Sequence, residues 1–284
     1  MKDIELDLIL ETRDYFLTGE KFGLYRNPEY GFLETRPVPL NNLPDYYKSD
    51  EYISHSDSKK SWFDKIYQLI KKYNISYKFS KLKVESGNKS LLDYGCGTGD
   101  FLKYAQNKGL TVLGIEPNQN ALKLAQQKIG NDLVKNTELK NLNQQFDYIT
   151  LWHVLEHIPN LEELIIELKN KLKADGKIII AVPNHDSFDS KYYKSFWAAW
   201  DVPRHLWHFS NDSFQNLSYK FGLEVVNKYP LWFDSFYISF ISEKYKKSKL
   251  RILRAPIIGF ISNLYGMKNK NYSSVIYILK KNEY

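Results

Sequence analysis

"LLDYGCGTGDFL", residues 91–102, decides the fold. The apolar pair Leu91–Leu92 runs into Asp93, the chain breaks at Gly95, Gly97 and Gly99, and apolar residues resume at Phe101 and Leu102 behind Asp100. A strand, a glycine turn and a helix in that order form a nucleotide-type cradle. Glycines let a ligand approach the backbone, and a helix start offers unused N–H groups. A dinucleotide site wants its third glycine one place later, where this chain has Asp100. A carboxylate opening the helix competes with a pyrophosphate for those N–H groups, and Asp93 adds repulsion. The expected ligand is cationic.

Outward from the turn, short apolar runs keep alternating with amphipathic helices. "SLLDY", "TVLGIE", "NDLVKN", "FDYITLW" and "GKIIIAV" read as strands, and "DFLKYAQNKG", "NQNALKLAQQKIG" and "LEELIIELKNKLK" as the helices between them. "SNDSFQNLSYKFG", "LEVVNKY" and "YSSVIYILKK" add a helix and two strands. The alternation predicts an α/β fold: a Rossmann-like, mostly parallel sheet with helices on both faces. That domain covers 88–284, with aromatic-rich insertions at 183–209 and 231–272. The first insertion leaves the carboxyl end of a strand, where open α/β sheets bind ligands, and is expected to cover the site. Residues 57–87 form a helical cover and linker, with Trp62, Phe63, Ile66, Leu69, Ile70 and Tyr73 at helical spacing. Residues 1–56 lack a sustained period and read as an irregular, turn-rich extension.

Composition narrows the chemistry. With 284 residues and 43% hydrophobic content the chain can bury a full core. Its single cysteine, Cys96, excludes a disulfide framework, a cysteine-rich zinc site and a three-cysteine iron–sulfur cluster. A net charge of +7 invites a nucleic-acid reading, but the lysines are scattered among Asn, Ile and Tyr and no arginine-rich stripe appears, so nucleic acid is not expected. No stretch approaches the roughly 20 apolar residues of a membrane span, and "MKDIELDLIL" carries acids where a secretory signal carries bases. A cytoplasmic location is expected. The oligomeric state is not legible.

S-adenosylmethionine meets the demands of the cradle. It lacks phosphate, carries an ammonium and a sulfonium, and has a ribose diol that needs an acceptor pair. Glu116, ending "TVLGIEP" 17 residues after Gly99, stands where an acid takes both ribose hydroxyls.

Residues 88–229 resemble the class I S-adenosylmethionine-dependent methyltransferases through "LLDYGCGTGDFL", "VLGIEPN", "FDYITLWHVLEHIPN" and "LKADGKIIIAVPN", in family order. The resemblance implies a seven-stranded sheet whose last strand is antiparallel. It also implies transfer of a methyl group from sulfur to a nucleophile. Asp93, Gly95, Cys96, Gly97 and Gly99 would hold the methionine end, Glu116 with Pro117 beside it the ribose, and Trp152 would pack near the adenine or methyl donor. Asn136 and Thr137 stand where many relatives hold the adenine amine.

A sulfonium is already a good leaving group, so such an enzyme aligns the nucleophile and removes a proton where needed. "WHVLEHIP" supplies His153, Glu156 and His157; as a helix, it would put both histidines on one face. The stretch is similar to quinone-precursor O-methyltransferases, where an E-x-x-E-H is associated with a divalent cation. His153 replaces the first acid, so no metal is expected. The insertion "NHDSFDSKYYKSFWAAWDVPRHLWHFS" holds eight aromatics between Phe188 and Phe209. It reads either as a lid around a flat substrate or as a core segment carrying an Asp201–Arg204 ion pair. In the first reading Arg204 holds an anionic group and His205 is a second base. "RDYFLTGEKFGLYRNPEYGFLETRPVP" resembles a zinc-ribbon leader whose C-x-x-C places are taken by Asn27 and Tyr30, so zinc is not expected there. Residues 236–265 mix apolar faces with Lys244, Lys246, Lys247, Lys249, Arg251 and Arg254, a pattern that suits peripheral contact with an anionic membrane or a solvated helix face. The function expected is methylation of a small-molecule or lipid-linked acceptor at oxygen. The alternatives are carbon or nitrogen methylation of a carbohydrate or natural-product precursor, and an inactive cofactor-binding partner subunit.

Overall fold

The computed structural model describes residues 7–40, 42–47 and 62–282, and only the backbone at Pro44 and residues 62–67. Strands β1 (Leu8–Arg13), β2 (Lys21–Arg26) and β3 (Leu33–Arg36) come first, then helix α1 (Trp62–Leu82). The alternation follows as β4 (Ser90–Tyr94), α2 (Asp100–Asn107), β5 (Thr111–Ile115), α3 (Gln119–Ile129), β6 (Val134–Lys135), β7 (Phe146–Trp152), α4 (Leu161–Asn170) and β8 (Leu172–Pro183). The rest is α5 (Phe188–Tyr193), β9 (Trp207–His208), α6 (Asn211–Lys220), β10 (Leu223–Pro230), α7 (Asp234–Tyr245), α8 (Arg251–Asn269) and β11 (Ser274–Lys281). The chain makes two compact units, one from residues 59–181, 218–227 and 276–284, the other from 1–58, 182–217 and 228–275.

The glycine turn belongs to the first of these, whose sheet runs β10-β11-β8-β7-β4-β5-β6. β4 pairs in parallel with both β5 and β7, β5 with β6, and β7 with β8. This is the expected seven-stranded, mostly parallel, Rossmann-like sheet. From β4 the chain progresses to β5 and β6 on one side and to β7 and β8 on the other. The turn after β4 therefore opens at the switch point where such sheets bind ligands. Leu91, Leu92, Ile149, Ile178 and Ile179 are fully buried, as expected of strands covered on both faces. Each contributes about 1.5–3 kcal/mol of transfer free energy. On α4, Leu161, Leu164, Ile165 and Leu168 repeat at i, i+3, i+4 and i+7 and are the buried face. α1 forms where the spacing predicts it, yet Leu69 and Tyr73 of its apolar stripe are exposed. The side chains of Trp62, Phe63 and Ile66 lie outside the described residues.

In the other unit the extension contributes short strands between its turns. β1, β2 and β3 form an antiparallel meander, and the two-residue β9 adds to β3 with Leu33 opposite His208. Asn27 explains how the leader turn closes. Its Oδ1 accepts the N–H groups of Glu29 and Tyr30, each at 2.9 Å, and its Nδ2 donates to Glu34 Oε1 at 2.6 Å. The Tyr30 ring stacks on Phe32 at 5.3 Å. An Asx turn and an aromatic pair thus occupy the two positions where a ribbon leader carries cysteines. The insertion aromatics Tyr193, Trp197 and Trp200 pack with Leu24 and Leu33 into this unit's core.

Candidate active site

Strand register brings the cradle together. Ile115 lies opposite Tyr94 on one side and Lys135 on the other, and Asp93 lies opposite Thr150 of β7. The carboxyl ends of β4, β5, β6 and β7 therefore finish along one edge, which carries Asp93, Glu116, Asn136 and Trp152.

Backbone bonds shape the turn. The Gly95 and Cys96 N–H groups donate to the Ile115 carbonyl at 2.8 and 3.0 Å. The Gly97 N–H donates to Glu116 Oε2 at 2.7 Å, and the Asn118 N–H to Oε1 at 2.8 Å. Asn118 then caps α3 by accepting the N–H groups of Asn120 and Ala121, which holds the Glu116–Asn118 corner in place. Two of the glycines serve different ends. Gly99 has φ +77°, and a Cβ there would come within 2.7 Å of Ile129 and 3.0 Å of Ala125, so it is needed for packing. Gly97 has φ +55°, but a Cβ there would meet nothing within 4 Å. It faces open space, the side from which a ligand reaches the backbone.

The charges divide into two groups. Asp100 pairs with Lys71 and Lys128, each at 2.8 Å. Burial would raise its pKa, but the two ammonium groups hold it below the usual carboxylate range. Its charge is thus answered by Lys71 and Lys128. The negative field at the cradle comes from Asp93 and Glu116. Asp93 is 1% exposed. Burial pushes its pKa up to about 7, against the Thr150 hydrogen bond and the Lys78 charge, while Glu116 adds to the rise. Glu116 is also raised by burial, against its two backbone N–H partners. Two buried acids beside an open backbone call for a cation.

Around them, Trp152 meets the edge of Phe101 at 5.0 Å and the Lys78 ammonium at 4.7 Å, and its buried Nε1 has no hydrogen-bond partner among the described residues. Cys96 is buried, with its thiol pKa pushed up by burial, so it packs and offers no thiolate. Pro117 and Asn136 are exposed and Thr137 is half-buried. The donor set, the open face of Gly97 and the orphaned indole fit S-adenosylmethionine.

Beyond β7 the "HVLEH" stretch departs from the helical reading. Leu155–His157 is a single 3-10 turn, so His153 and His157 do not share a helix face. His153 takes a left-handed backbone, φ +57°, uncommon outside glycine, while its N–H donates to the Ala181 carbonyl at 2.9 Å. Its Nδ1 lies 3.3 Å from Oε1 of the fully buried Glu156. His157 is half-buried, its N–H bonded to the Val154 carbonyl at 3.0 Å.

Residues 51–228, well over half of the chain, match the family described as the methyltransferase domain. The chain belongs to that family. Its cofactor is S-adenosylmethionine, and the sheet is the fold that binds it. Among relatives, it is 37% identical to the demethylmenaquinone methyltransferase of Lactobacillus johnsonii over 112 residues, 35% of this chain and 46% of that protein. It is 31% identical to the ubiquinone biosynthesis O-methyltransferase of Glaesserella parasuis over 143 residues, 44% of this chain and 60% of that protein. The matched stretch thus spans about half the length of these relatives. Magnesium protoporphyrin IX methyltransferase from Synechocystis, solved with bound SAH, superposes with a TM-score of 0.56 over 86% of this chain and 100% of its own, at 13% identity. That likeness is one of fold.

The remaining predicted residues lie in the other unit. Arg204 is 1% exposed, with its guanidinium bonded to Asp201, to Asp14 at 2.8 Å and to the Tyr46 carbonyl at 3.2 Å. Burial would raise the Asp14 pKa, yet Arg204 and the Thr18 and Leu17 N–H groups hold it below the usual range. His205 Nδ1 lies 2.9 Å from the Ala199 carbonyl, to which it donates, and Nε2 lies 3.9 Å from Asp201 Oδ2. Sequence reasoning singled out neither Thr150 nor His185, and it gave His208, noted beside His205, no role of its own. Thr150 is an unremarked mid-strand residue whose only signal was its place beside Asp93. His208 Nε2 lies 2.8 Å from the Thr35 hydroxyl, and burial, with the charges of His205 and His185, drives its pKa well down. His185, at the end of "AVPNH", has its pKa lowered to about 4 by burial, and its Nε2 has no hydrogen-bond partner among the described residues.

Proposed function

We propose that this methyltransferase moves a methyl group to an oxygen of a small-molecule or lipid-linked acceptor. The observation that carries the reading is the pair of buried acids, Asp93 of β4 and Glu116 after β5, at the sheet edge where Gly97 has room for a ligand. Bound there, S-adenosylmethionine supplies a methyl group on a cationic sulfur that leaves readily. Glu116 has lone pairs beyond those used by Gly97 and Asn118 and accepts the ribose hydroxyls. Asp93, ionised, holds the ammonium. Trp152, at the end of β7, would wall the cradle. His157 takes the proton of the acceptor hydroxyl, with His205 as the second candidate, and His153 with Glu156 positions the loop between β7 and α4. The name of the ubiquinone biosynthesis O-methyltransferase supports an oxygen acceptor, and that of the demethylmenaquinone methyltransferase supports a quinone-related acceptor without naming the atom.

The test is calorimetry with S-adenosylmethionine, followed by a slow-turnover assay for S-adenosylhomocysteine on a cell extract. Binding followed by product supports transfer. Binding with no product from any extract rejects it and leaves a cofactor-binding partner subunit.

A further inference from the structure

An ordinary surface helix buries its large apolar residues and shows solvent its small and polar ones. α8 does the reverse. Its buried face is Ala255, Ile258, Gly259, Ser262, Asn263 and Gly266. A Cβ on Gly259 would come within 2.9 Å of the Phe236 Cα, so this stripe lets α7 approach backbone to backbone. The large residues point outward: Ile252 is 73% exposed, Leu253 65%, and Ile257, Phe260 and Met267 57% each. Of 23 exposed large apolar side chains among the described residues, 11 fall between Tyr237 and Met267. A patch so concentrated marks an interaction surface.

Its charge selects the partner. Between Lys244 and Tyr272 the sequence has eight Lys and Arg and no acid, and the preceding Glu243 is fully buried. A second copy seated on this face would set cations against cations across a two-fold axis. The apolar stripe also spans about half the helix circumference, wider than the seam of a coiled coil. An anionic lipid surface suits both features, with the stripe entering the acyl boundary and the cations meeting headgroups. Among the described residues no helix is long and apolar enough to cross a membrane, so the contact is one of lying on the surface.

We propose that α8, with the end of α7, is a docking face for an anionic phospholipid membrane. This stands apart from methyl transfer and needs no cofactor to be tested. The full chain is sedimented with phosphatidylglycerol vesicles and with phosphatidylcholine vesicles near 0.1 M salt. Binding to the anionic vesicles should be at least about tenfold tighter and should fall roughly tenfold in 0.5 M salt. I257S/F260S and K249A/R254A should each lose roughly tenfold while melting like the parent, since all four side chains are exposed. Equal or absent binding to the two vesicle types, or parental binding by both variants, overturns the proposal. So does a dimer that I257S/F260S dissolves, which would make this face a contact between copies.

Discussion

Thr150 Oγ1 donates to Asp93 Oδ1 at 2.6 Å, across adjacent strands in parallel register. The bond stabilises the charge of a carboxylate that burial pushes toward neutrality, leaving its pKa at about 7. Binding of a cationic cofactor then depends on pH in the physiological range. Affinity for S-adenosylmethionine should fall as pH drops from 8 to 6, because protonated Asp93 no longer attracts the ammonium. Thr150→Val should move that midpoint up by roughly half to one unit, one net hydrogen bond's worth. Asp93→Asn should flatten the profile. Calorimetry across this range checks all three.

The same shift has a stability consequence. The folded pKa of Asp93 lies above its unfolded value of about 3.9. The stabilisation is therefore fully present below about pH 4 and is lost as pH rises through about 7. His185 and His208, with lowered pKa values, gain stability over the same rise in pH, so the Asp93 contribution is read as a difference: between pH 5 and pH 8 the cofactor-free parent should lose several degrees relative to Asp93→Asn. An unaltered slope in the variant would show that Asp93 is not the group responsible.

Gly97 and Gly99 should respond differently to alanine. At Gly99 the added methyl meets Ile129 and Ala125, so Gly99→Ala should cost about 2–4 kcal/mol of stability through crowding and backbone strain. At Gly97 there is room, so Gly97→Ala should cost only about 1–2 kcal/mol of backbone strain while weakening S-adenosylmethionine binding. Thermal melts paired with calorimetry separate the two.

Arg204 bonds to two carboxylates, Asp14 and Asp201, in a buried setting. Arg204→Ala leaves those charges uncompensated and should destabilise by about 3–5 kcal/mol. A residue that gripped a substrate anion would instead raise KM with the melting temperature unchanged.

His157→Ala and His205→Ala distinguish the candidate bases. The true base should lose roughly 10²–10⁴-fold in kcat with cofactor affinity nearly intact. Full activity in both would leave the acceptor proton without either proposed partner.

Much of this was legible because parallel, doubly covered strands leave long apolar runs. Those of β4, β5, β7 and β8, and the glycines between β4 and α2, stand out in any reading. The places of Asp93 and Glu116 at the carboxyl ends of β4 and β5 were legible for the same reason. What escaped depends on partners distant in sequence. The lysines that answer Asp100 lie 29 residues before it and 28 after it, and β9 is two residues long and exists only through β3. Whether "HVLEH" is helical stayed open in the sequence, because i and i+4 spacing carries no information about a single 3-10 turn. The strands of the extension were hidden by turn residues such as Asn27, whose side chain holds its turn closed.

The account rests on an acid-lined cradle that prefers a phosphate-free cation. The most direct measurement is competitive calorimetry of the parent and Glu116→Gln with S-adenosylmethionine and with NAD. The parent should bind S-adenosylmethionine and not NAD, and the variant should bind it at least about tenfold more weakly, as expected when a charged acceptor for the ribose diol is lost. Tight NAD binding, or equal S-adenosylmethionine affinity in parent and variant, would contradict it.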